Sequence, residues 1–258
     1  MKRIICPATI ILAAIAAVAA PPRIDVAGIQ QYVYPDNKPK AVPAATYMPD
    51  GETYLRLSDD RSQIISYSTA TGKQDAVVLD RTKTREEKMG PVEGFTISPD
   101  GSKLLVWTDS EPIYRRSSKA NYYIFDIKRN ILRPLSKTGK KQQAPLFSPD
   151  SRMVAFVIDN NISVRKYDYD TEIAITTDGA HGKIINGVPD WTYEEEFATA
   201  CSMTWAPDNQ TLCYLKYNEA DVPQYNLALY EGTCDPNTEY ALYPGLMTYK
   251  YPVAGEPN

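Results

Sequence analysis

The sequence predicts an all-β chain built from a repeated unit. The first observation is a Pro-Asp turn that recurs four times, at Asp50, Asp100, Asp150 and Asp208, at intervals of 50, 50 and 58 residues. Proline presets φ and aspartate bonds its own backbone, so these residues are typical of tight turns. The second observation is composition. The 258 residues include 19 tyrosines and 20 prolines, which favours strands over helices.

Strand-like segments surround each turn in the same order. Those that precede a turn read "GFTI", "APLF" and "SMTW", and another apolar run follows each turn. A third strand is predicted in "NYYIFDI", "NISVRKY" and "YNLALY", and a fourth in "DAVVLD" and "EIAITTD". Four short strands every 40–50 or so residues are typical of a β-propeller blade. An irregular β-sandwich is the alternative, but sandwiches rarely repeat a turn at so constant a period.

The first 20 residues predict a secretory signal peptide. Lys2 and Arg3 precede an apolar, alanine-rich run that ends with Ala17, Val18 and Ala19, an A-x-A cleavage pattern. The alternative is an uncleaved membrane anchor, since the run approaches the length that spans a bilayer. We expect an exported protein, periplasmic or extracellular, whose domain occupies residues 21–258.

Charge and cysteine content narrow the class of partner. The net charge is −4 and no basic stripe is present, so nucleic acid is not expected as a partner. Three cysteines follow the signal segment: Cys201, Cys213 and Cys234. A hairpin whose turn lies midway between Cys201 and Cys213 could bring these two thiols face to face and allow a disulfide. No C-x-x-C occurs and His181 is the only histidine, so we expect neither a metal nor a cofactor.

An acidic segment, "GVPDWTYEEEF" at residues 187–197, lies in the longest interval between turns. One interpretation is a short helix with Thr192 and Glu195 as a capping box and a solvated acidic end. The other is that two of the carboxylates of Glu194, Glu195 and Glu196 converge on a substrate ammonium, while the third points away. Two charge-assisted bonds of about 1.5–3 kcal/mol each would select peptides with a free N-terminus.

A polar excursion in the second repeat, "DSEPIYRRSSKA", carries Arg115 and Arg116. One interpretation is a pair of surface cations. The other is that one arginine lies near the glutamates, keeps them ionised and donates to a substrate carbonyl, for which the planar, permanently charged guanidinium is suited.

Four segments share one resemblance: "NGVPDWTYEEEF" from Asn186, "YRRSSKANYYIFDI" from Tyr114, "NEADVPQYN" from Asn218 and the closing "YPVAGEPN". Together they resemble the propeller of dipeptidyl peptidase IV, in the prolyl oligopeptidase clan of serine peptidases. The D-W-x-Y-E-E-E pattern is specific, whereas Pro-Asp turns occur in many propellers. The resemblance implies about four to five consecutive four-stranded blades of an incomplete ring of about eight blades.

The resemblance also implies roles for particular residues. Glu195 and Glu196 match the pair of glutamates that anchors the peptide's α-amino group, and Arg115 matches the arginine that contacts substrate. Arg116 stands where the family more often has another residue, so no role is transferred to it.

The family reaction is covalent hydrolysis by a Ser/Asp/His triad on an α/β-hydrolase domain that follows the propeller. These 258 residues contain no G-x-S-x-G, and His181 lies in a predicted loop. We therefore expect the gating and amine-anchoring part of an exported serine peptidase that releases X-Pro or X-Ala dipeptides from oligopeptides with a free N-terminus. The chain alone would be inactive, its C-terminal hydrolase domain would be the partner, and a homodimer is also implied.

Two other functions fit the same repeats. A stand-alone periplasmic β-propeller could serve as a binding or scaffold module without catalysis, but a scaffold has no reason to keep an ammonium site. A tripeptidyl relative on the same fold would be expected to alter the paired glutamates, which are intact here.

Overall fold

Three repeats each form a four-stranded antiparallel sheet whose strands are adjacent in chain order. The computed structural model describes residues 44–84, 88–229 and 245–258, so the predicted signal peptide and Cys234 lie outside the described residues. Sheet 1 contains β1 (Thr46–Tyr47), β2 (Thr53–Leu57), β3 (Gln63–Ser68) and β4 (Gln74–Asp80). Sheet 2 contains β5 (Gly94–Ile97), β6 (Lys103–Pro112), β7 (Ser118–Asp126) and β8 (Ile131–Pro134). Sheet 3 contains β9 (Gln143–Phe147), β10 (Met153–Ile158), β11 (Asn161–Lys166) and β12 (Thr171–Ala174).

The fourth repeat is arranged differently, as three two-stranded pairs. Its elements are β13 (Ile184–Asn186), α1 (Trp191–Phe197), β14 (Met203–Trp205), β15 (Leu212–Tyr214), β16 (Lys216–Asn218), β17 (Gln224–Leu229) and β18 (Gly245–Lys250). The residues that follow the fourth turn form two short strands with different partners. Strand β15 pairs with β14, whereas β16 pairs with β13. The predicted third strand, "YNLALY", forms β17 but pairs with β18.

The four Pro-Asp turns adopt one conformation. In each, the residue after the aspartate has a positive φ, between 59° and 73°, at Gly51, Gly101, Ser151 and Asn209. The aspartate side chain accepts a hydrogen bond from the backbone N–H two residues later, at 2.8–3.1 Å. Glycine suits this left-handed backbone, and serine and asparagine adopt it in the third and fourth turns.

Serine and asparagine in the later turns also link one sheet to the next. The backbone N–H of Asp100 donates to Ser151 Oγ at 3.0 Å, and that of Asp150 donates to Asn209 Oδ1 at 2.8 Å. Equivalent turns of consecutive repeats are therefore neighbours, as expected when sheets are arranged around a common axis.

The core lies between neighbouring sheets, because side chains alternate along each strand. On β6, Leu104 and Val106 pack with sheet 1, whereas Leu105 packs with sheet 3. On β10, Phe156 packs with sheet 2, while Ala155 packs with residues of the fourth repeat. Each of these sheets thus buries both faces against its neighbours, as propeller blades do. In the described part of the chain, no helix has the length and apolar character needed to cross a bilayer.

The fourth hairpin does not bring Cys201 and Cys213 together. Both are free thiols, and Cys213 stands opposite Thr204 rather than Cys201. The facing arrangement that the sequence left open does not form, because the turn is closed by Ala206 and Thr211, whose N···O distance is 2.8 Å. This turn lies slightly beyond the midpoint of the two cysteines.

The carboxylate of Asp60, in the turn between β2 and β3, is expected to make the stability of the fold sensitive to acid. Asp60 accepts from the hydroxyls of Ser58 and Ser62 at 2.7–2.8 Å and from the Ser62 backbone N–H at 3.1 Å. These bonds, that of Ser58 foremost, lower the pKa of Asp60 from 3.8 to about 2. The backbone N–H of Gln210 and then that of Thr211 likewise lower the pKa of Asp208.

We expect the protein to lose stability as the pH falls from about 4 to about 2. A carboxyl group whose folded pKa is lowered stabilises the fold above its unfolded pKa of 3.8, and that contribution disappears as the folded group becomes protonated. Denaturant midpoints measured between these pH values test this. Asp60→Asn should show a shallower pH dependence, and an equal slope in both proteins would contradict the role of Asp60.

Candidate functional site

The acidic segment forms a short helix, α1, after the extended residues that follow β13. Asp190 is its N-cap and accepts from the backbone N–H of Tyr193 at 2.8 Å. Burial raises the pKa of Asp190, although the backbone N–H groups of Tyr193 and Thr192 oppose this. Ala198, with φ 55° and ψ 36°, ends the helix. The capping box predicted from Thr192 and Glu195 is therefore wrong, because the helix starts earlier and Thr192 lies in its first turn.

The three consecutive glutamates of α1 have different environments. Glu194 is buried, with only 1% of its surface exposed. The Glu195 side chain is 23% exposed, and Glu196 is exposed. Neighbouring helical residues diverge by about 100°, so one turn directs one carboxylate into the protein and leaves the next two accessible.

The arginines lie at the tip of a long hairpin in sheet 2. Strands β6 and β7 extend beyond their neighbours and are joined by residues 113–117, here called the arginine loop. The loop is closed by a hydrogen bond from Ile113 N–H to Ser117 O at 2.9 Å. At its base, Lys141 of the next repeat contacts Asp109 Oδ2 at 2.9 Å and Glu111 Oε1 at 2.6 Å. The hairpin is thereby tied to the following repeat.

The arginine loop and α1 meet through two adjacent glutamates. Glu194 Oε1 accepts from the backbone N–H groups of Arg116 at 2.7 Å and Ser117 at 2.8 Å. The Arg115 guanidinium lies 3.0 Å from Glu195 Oε1, with 72% of its side chain exposed. An exposed ion pair contributes only about 0–1 kcal/mol, so the buried contact of Glu194 is the stronger connection.

Aromatic side chains hold α1 from the side of the β17–β18 ribbon. The ring of Trp191 lies 4.4 Å from that of Tyr251 and 6.1 Å from that of Tyr249, measured between centroids. Tyr193 contacts Tyr217 edge-on at 5.0 Å, and Phe197, which is 68% exposed, at 5.2 Å. Contacts with both the ribbon and the arginine loop position the helix.

A cavity of about 440 Å³ also borders the arginine loop. Its lining includes Tyr114, His181, Glu219 and Tyr249, but not Arg115 or the exposed glutamates. Burial, followed by the charge of Glu219, raises the pKa of Tyr114 to about 12. Burial, followed by the charge of Asp190, raises the pKa of Glu219. The residues that line the cavity therefore do not include those of the predicted ammonium site.

The described residues offer no metal centre, since no three His, Cys, Asp or Glu side chains among them are grouped to hold an ion. His181 is exposed on the loop before β13.

The structure brings together two of the three predicted site residues, Glu195 and Arg115, and places Glu196 beside them on the helix. Within the described part of the chain Glu196 makes no ion pair. Sequence reasoning did not recognise the buried role of Glu194. The only sequence signal was that three successive helical carboxylates cannot all face one ligand. Arg116 contributes its backbone N–H to this contact.

The stacked sheets, their repeated turns and the acidic helix define a β-propeller with a charged site on an insertion. The family described as the dipeptidyl peptidase IV (DPP IV) N-terminal region matches residues 98–258. The chain belongs to this family, which confirms the resemblance of its motifs.

Relatives and a solved structure agree with this assignment. The probable dipeptidyl-aminopeptidase B of Aspergillus oryzae is 33% identical over 216 residues, covering 81% of this chain and 24% of the relative. Dipeptidyl-aminopeptidase B of Aspergillus niger is 34% identical over 221 residues, covering 81% of this chain and 23% of the relative. The chain thus spans about a quarter of these proteins.

The crystal structure of Porphyromonas gingivalis dipeptidyl peptidase 4 superposes with a TM-score of 0.78 at 39% identity, covering 92% of this chain and 32% of that one. The likeness confirms the β-propeller prediction.

Proposed function

We propose that this chain is the gating and amine-anchoring propeller portion of an exported serine dipeptidyl peptidase. Its substrates are oligopeptides with a free N-terminus, from which X-Pro or X-Ala dipeptides are released. The observation that carries the proposal is the charged arrangement on α1, where Glu195 is paired with Arg115 at 3.0 Å and Glu196 follows it, exposed. The names of the relatives, dipeptidyl-aminopeptidase and dipeptidyl peptidase, support the substrate class.

The geometry suits an ammonium ligand. Arg115 contacts one oxygen of Glu195, which leaves the other oxygen and the carboxylate of Glu196 for the peptide's N-terminal ammonium. A primary ammonium has three donors and can bond both carboxylates at once. Arg115, whose side chain is 72% exposed, is free to donate to a substrate carbonyl as well.

Anchoring the N-terminus fixes where the peptide is cut. With the ammonium on Glu195 and Glu196, the carbonyl of the second residue lies at a set distance from the helix. A serine of an α/β-hydrolase domain of the same protein would attack that carbonyl, and the remaining peptide would leave with a new amino terminus. Water would then release the dipeptide from the serine. The propeller contributes binding and orientation to this reaction.

Export to the periplasm or the cell exterior and assembly into a homodimer belong to the same proposal. Export is supported by the basic start, apolar run and A-x-A pattern of the first 20 residues.

The test is to read the gene past codon 258 and to assay the protein that it encodes. We expect an open frame that continues through a G-x-S-x-G and then an Asp and a His. Its product should release the chromophore from a Gly-Pro substrate with a free amine and leave the N-acetylated substrate intact. A stop codon directly after Asn258 would overturn the enzymatic proposal and favour the scaffold. Equal hydrolysis of both substrates would refute the amine anchor.

A further inference from the structure

We infer that Glu194 is a positioning residue, whose buried carboxylate holds the arginine loop against α1 and thereby places Arg115 beside Glu195. The inference rests on the proposed function, since it concerns how the substrate-orienting arginine is held. It assigns a role to the one glutamate of the triplet that cannot reach the substrate ammonium.

The contact is made to the backbone of the loop. Glu194 Oε1 receives both the Arg116 N–H at 2.7 Å and the Ser117 N–H at 2.8 Å. Two backbone donors on one charged oxygen form charge-assisted bonds, which are stronger than neutral ones. Because Arg116 directly follows Arg115, this contact fixes the chain where the guanidinium side chain begins.

The buried charge of Glu194 is costly for the fold. The residue is 1% exposed, and no lysine or arginine among the described residues forms an ion pair with it. Its Oε2 is also buried and has no hydrogen-bond partner in the described ranges. A buried carboxylate without a cation is unfavourable, and an apolar side chain would fill this position at lower cost. What offsets this cost is the pair of hydrogen bonds from Glu194 to the backbone of the arginine loop.

Apart from the Arg115–Glu195 ion pair, the two bonds to Glu194 are the only hydrogen bonds or ion pairs among the described residues that join the arginine loop to α1. The ion pairs of Lys141 with Asp109 and Glu111 hold the base of the hairpin. The Arg115 side chain is mostly exposed, so packing does not restrain it. Glu194 and Glu195 are consecutive, so one segment of helix both binds the backbone of the loop and pairs with its guanidinium. A shift of the loop would separate Arg115 from Glu195.

The test is a double-mutant cycle in the full-length protein that the gene encodes. We expect Glu194→Ala to raise KM for a free-amine Gly-Pro substrate by about ten- to a hundredfold, and we expect a rise of the same size in Arg115→Ala. The double variant should be no worse than the poorer single variant, because both changes remove the same interaction with substrate. Multiplicative effects would contradict the inference, since a merely structural role of Glu194 would act independently of Arg115.

A second readout does not depend on activity. Hydrogen exchange at the amides of residues 116 and 117 should accelerate in Glu194→Ala. In Glu194→Gln it should accelerate less, because the amide oxygen still accepts. If Glu194→Ala does not fold, the exchange and KM of Glu194→Gln decide the matter. Unchanged exchange and unchanged KM in that variant would overturn the inference.

The matched control is Asp126→Ala, at the opposite end of β7 from the arginine loop. Asp126 is also a buried carboxylate, and it accepts from the backbone N–H of Arg129 at 2.8 Å. Its loss should leave KM and exchange in the loop unchanged.

If Arg115→Ala leaves KM unchanged, the proposed role of Arg115 fails, while loop exchange still tests Glu194. If Arg115→Ala raises KM and Glu194→Ala does not, only the positioning role fails.

Discussion

Replacing Glu195 and Glu196 together by glutamine in the full-length protein is expected to raise KM for free-amine dipeptide substrates by about two to four orders of magnitude. The change removes both charged acceptors of the proposed ammonium site, and each charge-assisted bond contributes about 1.5–3 kcal/mol. The fold should persist, because Glu196 is exposed and the lost ion pair of Glu195 involves a mostly exposed Arg115. Labelling of the proposed active-site serine by a fluorophosphonate should therefore be unchanged.

Steady-state kinetics and serine labelling together separate binding from chemistry. The control is Glu52→Gln, which removes an exposed carboxylate in the turn between β1 and β2 and should leave KM unaltered. An unaltered KM in the double variant would remove the anchor role of α1. Loss of serine labelling would instead indicate a defect in folding or in assembly with the hydrolase domain.

The largest effect on stability is expected from Phe156→Ala, at about 3–5 kcal/mol. Phe156 is completely buried on β10 and packs in the cluster between sheets 2 and 3, which includes Leu105 and Ile124 of sheet 2. Truncation leaves a cavity at this junction, and the surrounding strands can close it only partly because their backbones are fixed by hydrogen bonds.

Denaturant titration, with hydrogen exchange of β6 and β10 to localise the change, measures this effect. Tyr169→Ala serves as the control, since that aromatic side chain is 70% exposed and its removal should alter stability by less than about 0.5 kcal/mol. Equal destabilisation by the two changes would mean that the junction between sheets 2 and 3 does not carry the stability assigned to it.

The regular repeats could be predicted closely from the sequence. The predicted "GFTI" is strand β5 (Gly94–Ile97), and "NISVRKY" contains β11 (Asn161–Lys166). Turn conformation and strand alternation depend on residues close together in the chain, so the sequence contains their causes. The fourth repeat departs from the pattern because β16 pairs with β13 across the inserted helix. That pairing depends on how the inserted segment with α1 packs against the strands, and the spacing of the Pro-Asp turns does not indicate this packing.

For the candidate site, the sequence suggested which residues to consider, but not how each of them packs. The resemblance pointed to Glu195, Glu196 and Arg115, and the structure places Arg115 within 3.0 Å of Glu195. The burial of Glu194 and the cap at Asp190 were not predicted. A single glutamate triplet supports several helix starts, and only packing selects the one in which Asp190 caps and Glu194 turns inward.

By itself the sequence determined the all-β repeat and the shared conformation of the Pro-Asp turns, and it supplied the charged residues of the candidate site. Tertiary structure alone decided that a glutamate on α1 binds the backbone of a loop 77 and 78 residues earlier. The physical reason is the separation in sequence between the residues that interact. Turns and strand faces follow from neighbours a few residues apart, whereas this contact exists only once the sheets have stacked and brought the arginine loop to the helix.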